Sequence, residues 1–330
     1  MEIQELLNRY AAGDRDFRKV NLIGANLSRA DLRGADLAGA SLAGANLSRA
    51  RLEDADLTGA FLYGSTLTYA HLGRVQLREA DLTKANLAGA FLVRGDLAGV
   101  KLSGAILRGV NLRSANLSGV NLCGANLSGV NLRSADLRDA NLSWANLSRA
   151  RLSGAVLSRS RLTGADLSFA HLVEVDLAGM DLDGLNLAQA NLRRANLRDT
   201  DLTAANLSEA DLRGADLENA TLHGSNLTGS ILTGCNLNGA SLMRANLSGA
   251  NLVRTTLGGA NLNLAGLDGA DLGYADLGNA YLWKTDLAGA DLSGANLRGA
   301  SLRGATLDGA NLKDAVLVGA TLPDGAVAEV

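Results

Sequence analysis

Leucine recurs every five residues along almost the whole chain. From Leu22 to Leu322 all 61 positions of this series are leucine, and Phe17 occupies the position before the first. Because the register never shifts, no insertion interrupts the series. A period of five matches neither the 3.6-residue period of an α-helix nor the two-residue period of a plain strand. The pattern therefore predicts a repeating five-residue unit with a turn in every unit.

The positions around each leucine also repeat. Alanine occupies 43 of the 61 positions two residues before the leucine, and asparagine or aspartate occupies 38 of the 61 positions directly before it. Glycine is the commonest residue two positions after the leucine, which suits a turn that needs a positive φ. We expect the leucine and the small residue to point inward. The amide or carboxylate should bond to nearby backbone and stack in ladders.

Four such units, one on each side, would make a coil of 20 residues. Coils can stack through backbone hydrogen bonds at a spacing of about 4.8 Å, and the 61 units give about 15 coils. We therefore predict an uninterrupted solenoid over residues 16–325, followed by a short tail at 326–330.

Residues 1–15 follow a different pattern. Leu6, Leu7, Tyr10 and Ala11 share one face of a short predicted helix that Gly13 would end. The first coil of a solenoid exposes apolar interior and unpaired strand edges. We expect this helix to cap that coil.

The repeats resemble the pentapeptide-repeat family, whose consensus is A(D/N)LXX. Residues 25–29 read Ala-Asn-Leu-Ser-Arg and residues 35–39 read Ala-Asp-Leu-Ala-Gly, and the match covers about residues 16–325. The resemblance implies an all-β fold, a right-handed quadrilateral β-helix, and the opening segment is similar to the cap of cyanobacterial members.

The best-known members of this family resemble DNA and protect DNA gyrase from inhibitors. The chain departs from them in three ways. No loop interrupts the coil, the tail is too short for a dimerisation helix, and the net charge is only −3.

Composition narrows the possible functions. Aromatic residues make up 3% of the chain, so the core must be thin and aliphatic. A pI of about 5.7 does not favour direct nucleic-acid binding. We expect no signal peptide in the first residues and no apolar run that spans a membrane. We expect a cytoplasmic protein with no membrane contact.

Candidate chemistry is sparse. Cys123 and Cys235 would lie too far apart for a disulfide, and the three histidines too far apart to share a metal. The aspartates follow the ladder position, and no pair of carboxylates stands out for acid–base work. We expect no enzyme activity, no cofactor and no metal.

Departures from the consensus are concentrated between residues 51 and 106. The large side chains that replace Asn or Asp before leucine are Arg51, Phe61, His71, Gln76, Phe91, Lys101 and Ile106. Arg51, His71 and Phe91 are spaced by 20 residues, so they should stack on one face. Over the whole chain this face has 12 Lys and Arg against 8 Asp and Glu. Tyr63 and Tyr69 are expected on the neighbouring faces.

Exposed aromatic and arginine side chains are typical binding anchors. The candidate partner-binding residues, which we call the 51–106 cluster, are Arg51, Phe61, Tyr63, Tyr69, His71, Arg74, Phe91, Arg94 and Lys101. The alternative is that these side chains only fill gaps in the wall.

Two functions remain open. The first is a non-catalytic scaffold or regulator that presents a rigid face to a protein partner. The second is a DNA-mimic modulator of DNA gyrase or another type II topoisomerase. The C-terminal coil has little predicted cover, so an end-to-end homodimer is a further expectation.

Overall fold

The structure, a computed structural model, describes residues 1–329. One α-helix, α1 (Ile3–Ala11), opens the chain. Beyond it the five-residue unit repeats: one residue forms a parallel bridge, the leucine follows, and a two-residue turn closes the unit. Within residues 1–329 each strand is a single bridge position.

Every unit folds around its own turn. The N–H three residues after the leucine donates to the leucine carbonyl, as Ala25 does to Leu22 at 3.0 Å. The residue two positions after Phe17, and after every leucine from Leu22 to Leu317, has φ between 52° and 72°, at all 61 positions from 19 to 319. The predicted need for a positive φ is confirmed. Glycine fills only 31 of these positions, and 30 carry a side chain in a backbone region that strains L-residues.

The chain divides into two compact units, residues 1–166 and the part from Leu167 onward. In the first unit parallel bridges run from Asp16↔Asp36 to Asn146↔Asp166, and in the second they run from His171↔Asn191 to Ser301↔Thr321. Each bridge joins residues that are 20 apart. The predicted 20-residue coil, with four turns per coil, is therefore present in both units.

The repeated leucine and the small residue two positions before it form the core of each of the two compact units. Leu52 and Ala55 in the first unit are fully buried, as are Leu242 and Ala240 in the second. Each buried leucine contributes on the order of 1.5–3 kcal/mol relative to an exposed one. The narrow interior explains why alanine is the usual partner of leucine.

Asparagine and aspartate form the ladders that the sequence predicts. The Oδ1 of Asn46 accepts a hydrogen bond from the Ser48 N–H at 3.1 Å. The Nδ2 of Asn116 donates to Oδ1 of Asp96, one coil below, at 3.0 Å. The first bond supports the turn and the second joins adjacent coils, which explains the preference for these residues.

The two chain ends are covered differently. Leu6 of α1 is fully buried, and the Tyr10 hydroxyl donates to the Arg33 carbonyl at 2.8 Å. At the other end the chain reverses after Leu322, and Thr321 pairs with Val327 in an antiparallel bridge. The tail therefore folds back on the last coil instead of extending away from it.

The two units carry opposite net charge. Residues 1–166 contain 21 Lys and Arg against 15 Asp and Glu, a net charge of +6. Residues 167–330 contain 10 against 19, a net charge of −9. The total of −3 hides this difference.

Candidate functional site

Three members of the 51–106 cluster stack as predicted. Arg51 bridges His71, and His71 bridges Phe91. The His71 and Phe91 rings stack with centroids 5.3 Å apart and an interplanar angle of 23°. Phe91 remains 46% exposed. The result is an aromatic ring surface at a position where the chain usually places an amide or a carboxylate.

Tyr69 extends this surface at the adjoining corner. Its φ is +56°, a conformation that strains a bulky residue. A Cβ added at Gly89 would lie 2.5 Å from Cε1 of Tyr69, so the ring rests directly on this glycine. The Arg49 guanidinium carbon lies 5.9 Å from the ring centroid, within cation–π range. Tyr69 is 56% exposed.

Arg74 and Arg94 continue the surface on the turn positions. Arg74 Nε and Nη2 each donate to Asp54 at 2.6 Å, and this hydrogen bonding lowers the pKa of Asp54 and raises the pKa of Arg74. Both side chains are more than half exposed, so the pair adds little to stability. The next residue in this column, Arg94, is also exposed.

The other three members of the cluster lie on a different face; they are Phe61, Tyr63 and Lys101. The Leu62 and Leu72 units are ten residues apart, which is half of the 20-residue coil, so they occupy opposite faces. The prediction that Tyr63 lies on a neighbouring face is therefore wrong. Phe61 bridges Asp81, and Asp81 bridges Lys101, so these residues form a separate column.

The cluster thus separates into two surfaces. We call the first the Phe91 patch; its members are Arg51, Tyr69, His71, Arg74, Phe91 and Arg94. The other surface, made of Phe61, Tyr63 and Lys101, shares no face with it. The sequence indicates this separation, because equivalent positions on one face have residue numbers that differ by multiples of 20.

Two further aromatic residues share the geometry of Tyr69. Trp144 has φ +60° and Tyr274 has φ +57°, and a Cβ added at Gly164 or Gly294 would collide with the respective ring. They are 69% and 68% exposed.

The chemical groups that could support other functions are isolated. Within residues 1–329 no group of three His, Cys, Asp or Glu side chains is arranged to hold a metal ion. Burial raises the pKa of the Cys235 thiol to about 12, and its Sγ donates to the Leu212 carbonyl at 2.8 Å. Cys123 is partly exposed. No helix among the described residues is long and apolar enough to cross a bilayer.

A family model matches most of the chain. The model, described as pentapeptide repeats in eight copies, matches in twelve overlapping stretches that cover residues 16–113 and 115–324. No curated protein matches the chain significantly.

Several solved structures are similar to the chain. HetL, a pentapeptide-repeat protein involved in heterocyst differentiation regulation in the cyanobacterium Nostoc sp. strain PCC 7120, is 31% identical, with 99% of this chain and 100% of HetL covered and a TM-score of 0.21. Rfr23 from the cyanobacterium Cyanothece 51142 is 26% identical over 50% of this chain and 94% of its own, with a TM-score of 0.14. QnrB1, a plasmid-mediated fluoroquinolone resistance protein, is 20% identical over 63% and 89%, with a TM-score of 0.38.

Proposed function

The chain belongs to the pentapeptide-repeat family, and on this premise we propose that it is a non-catalytic scaffold or regulator that binds a protein partner through the Phe91 patch. Members of this family form right-handed quadrilateral β-helices and are generally not enzymes. We propose the same hand and the same lack of catalysis for this chain.

One observation carries the proposal. Tyr69, His71 and Phe91 place exposed rings where the repeat otherwise uses glycine, asparagine or aspartate. Tyr69 does so at φ +56°, which is unfavourable for an L-residue by about 1–3 kcal/mol. A large exposed ring held in a strained turn, beside a stacked ring pair and arginines, is the combination typical of an interaction anchor.

The test replaces His71 and Phe91 together by asparagine. Asparagine is the consensus residue at this position and would extend the existing ladder, because Asn131 already donates from Nδ2 to Oδ1 of Asn111, the next residue in the column, at 3.2 Å. Each new hydrogen bond adds about 0.5–1.5 kcal/mol. The double variant should therefore fold at least as well as the wild type while losing its partner.

A matched control replaces Val156 and Ile231, two apolar ladder residues outside the patch, by asparagine. Both proteins are used as bait in a pull-down from lysate of the source organism, and bound proteins are identified by mass spectrometry. We expect the partner to be missing from the His71→Asn, Phe91→Asn sample and present in the control. Equal capture by both would rule out the Phe91 patch.

A second candidate function is a DNA-mimic modulator of DNA gyrase. The net charge of −9 on the second unit favours it, and so does one face of that unit. This face carries Glu209, Asp268, Asp286 and Asp308, and its five-residue repeats between residues 185 and 309 contain no Lys or Arg. A gyrase supercoiling assay tests it: inhibition, or protection from a quinolone, at low protein concentration would rank this function first.

A further inference from the structure

Four half-coils of the first unit form a surface without carboxylates. They are residues 65–74, 85–94, 105–114 and 125–134, which follow one another every 20 residues. Together they contain five arginines and neither aspartate nor glutamate. The five, which we call the arginine tract, are Arg74, Arg94, Arg108, Arg113 and Arg133. The other halves of the same coils, from 75 to 144, hold all five carboxylates of that region.

The backbone brings three of these arginines onto successive coils. The Arg94 N–H donates to the Arg113 carbonyl at 3.0 Å, and the N–H of Ser114 donates to the Arg133 carbonyl at 2.9 Å. Arg113 and Arg133 occupy the same column, one coil apart, which corresponds to about 4.8 Å. All three side chains are exposed.

These charges are poorly neutralised within the part of the chain that the structure describes. Arg74 pairs with Asp54 at 2.6 Å, and there it is the only member of the tract with an ion pair. Elsewhere in the first unit Arg33, Arg138 and Arg159 each pair with an aspartate. Stacked like charges repel one another. An anionic partner would reduce this repulsion between the guanidinium groups of the free protein.

We propose that the arginine tract binds an acidic segment of a partner protein, whose carboxylates pair with Arg94, Arg108, Arg113 and Arg133. This inference rests on the proposed function, because the tract continues the Phe91 patch along the same face. Guanidinium groups form bidentate hydrogen bonds with carboxylates, and these four members of the tract lie on two adjoining faces.

The side chains between the arginines favour a protein over a nucleic acid. Ile106 is 40% exposed and Val93 is partly exposed, and aliphatic groups pack against side chains. Binding of single strands uses successive aromatic platforms along the groove, whereas this surface offers only Tyr69 and the Phe91–His71 pair. The partner segment should therefore combine carboxylates with apolar side chains.

The test measures binding of a fluorescent peptide by polarisation. The peptide has about eight residues, enough at about 3.3 Å per residue to cross the tract, and alternates glutamate with leucine and phenylalanine. A peptide with glutamine in place of glutamate and a single-stranded DNA of similar length serve as comparison probes. The full-length chain is used throughout.

The tract variant combines Arg94→Gly, Arg113→Ser and Arg133→Ser, residues that other repeats carry at these positions. The matched control combines Arg78→Ser, Arg138→Ser and Arg159→Gly, which removes the same charge from one other face of the same compact unit. We expect the glutamate peptide to bind the tract variant at least tenfold more weakly than the wild type. The control should change binding by less than about threefold, and the glutamine peptide should not bind.

Three results would overturn the proposal: no binding of the glutamate peptide to the wild type, equal weakening by both triple variants, or tighter binding of the DNA with loss in the tract variant. Pull-down distinguishes this failure from failure of the proposed function. Partner loss with His71→Asn, Phe91→Asn but not with the tract variant would reject the tract alone. Capture unaffected by either change would reject both.

Discussion

Replacing Gly89 by alanine should displace the Tyr69 ring, whereas the same replacement at Gly109, the next residue in that column, should not. Both glycines have a positive φ, +70° and +64°. The added Cβ at Gly89 would lie 2.5 Å and 2.7 Å from two ring carbons of Tyr69, while at Gly109 nothing lies within 4 Å. The two variants therefore share the backbone effect and differ only in the ring.

The expected magnitudes follow from these contacts. A left-handed conformation costs an L-residue about 1–2 kcal/mol, and the reduced freedom of the unfolded chain offsets about 0.5–1 kcal/mol of that. Gly109→Ala should therefore lower the free energy of unfolding by about 1 kcal/mol. At Gly89 the ring must also move by about 1 Å to regain a normal carbon contact of about 3.5–4.0 Å. An off-rotamer side chain adds about 0.5–1.5 kcal/mol, so Gly89→Ala should cost about 2 kcal/mol.

Urea unfolding followed by circular dichroism measures the difference. The midpoint of Gly89→Ala should lie below that of Gly109→Ala, and the two midpoints should be equal when both changes are made in a Tyr69→Gly background. Partner capture should weaken with Gly89→Ala and stay normal with Gly109→Ala. Equal midpoints would show that the ring does not rest on Gly89. A lower midpoint with full capture would remove Tyr69 from the contact surface.

Three other predictions concern the interior and the chain end. Ser230→Ala should raise the free energy of unfolding by about 1 kcal/mol, because the Ser230 hydroxyl is buried without a partner. Ser225→Ala should not raise it, because the Ser225 hydroxyl donates to a carbonyl at 2.9 Å. Equal effects of the two changes would contradict this reasoning. Ellman's reagent at pH 8 should modify Cys123 in the native protein and both cysteines in denaturant, since burial raises the pKa of Cys235 to about 12 and leaves little thiolate; two reactive thiols in the native state would refute this. Light scattering should detect an end-to-end dimer, which Leu312→Asp at the partly exposed last coil should dissociate; a monomer of 34.0 kDa at all concentrations would exclude it.

Most of the fold could be predicted because one physical requirement repeats. A leucine at all 61 positions leaves no freedom in register, and the 20-residue coil follows from four turns per circuit. The turn chemistry was less predictable. Glycine is the residue expected at positive φ, yet 30 of the turns accept a side chain, because the leucine core and the ladders hold the backbone around them.

The candidate site could be predicted only in part. The spacing of Arg51, His71 and Phe91 indicated their stack directly. The arginine tract remained hidden because charges counted along a whole face average over both compact units. Counting the two units separately reveals their net charges of +6 and −9. The return of the tail at Val327 has no signal in a five-residue pattern, since it depends on an antiparallel contact outside the repeat.

The constant separation of 20 residues between bridged positions has a consequence for synthesis in the cell. Each coil bonds to the coil made just before it and to the coil made just after it, so the relative contact order of a chain of 330 residues is only about 0.06. A new coil needs no residue that has yet to leave the ribosome. The helix α1, which emerges first and buries Leu6, can close the first coil while translation continues. We therefore expect this protein to fold vectorially, one coil at a time, from its capped N-terminus.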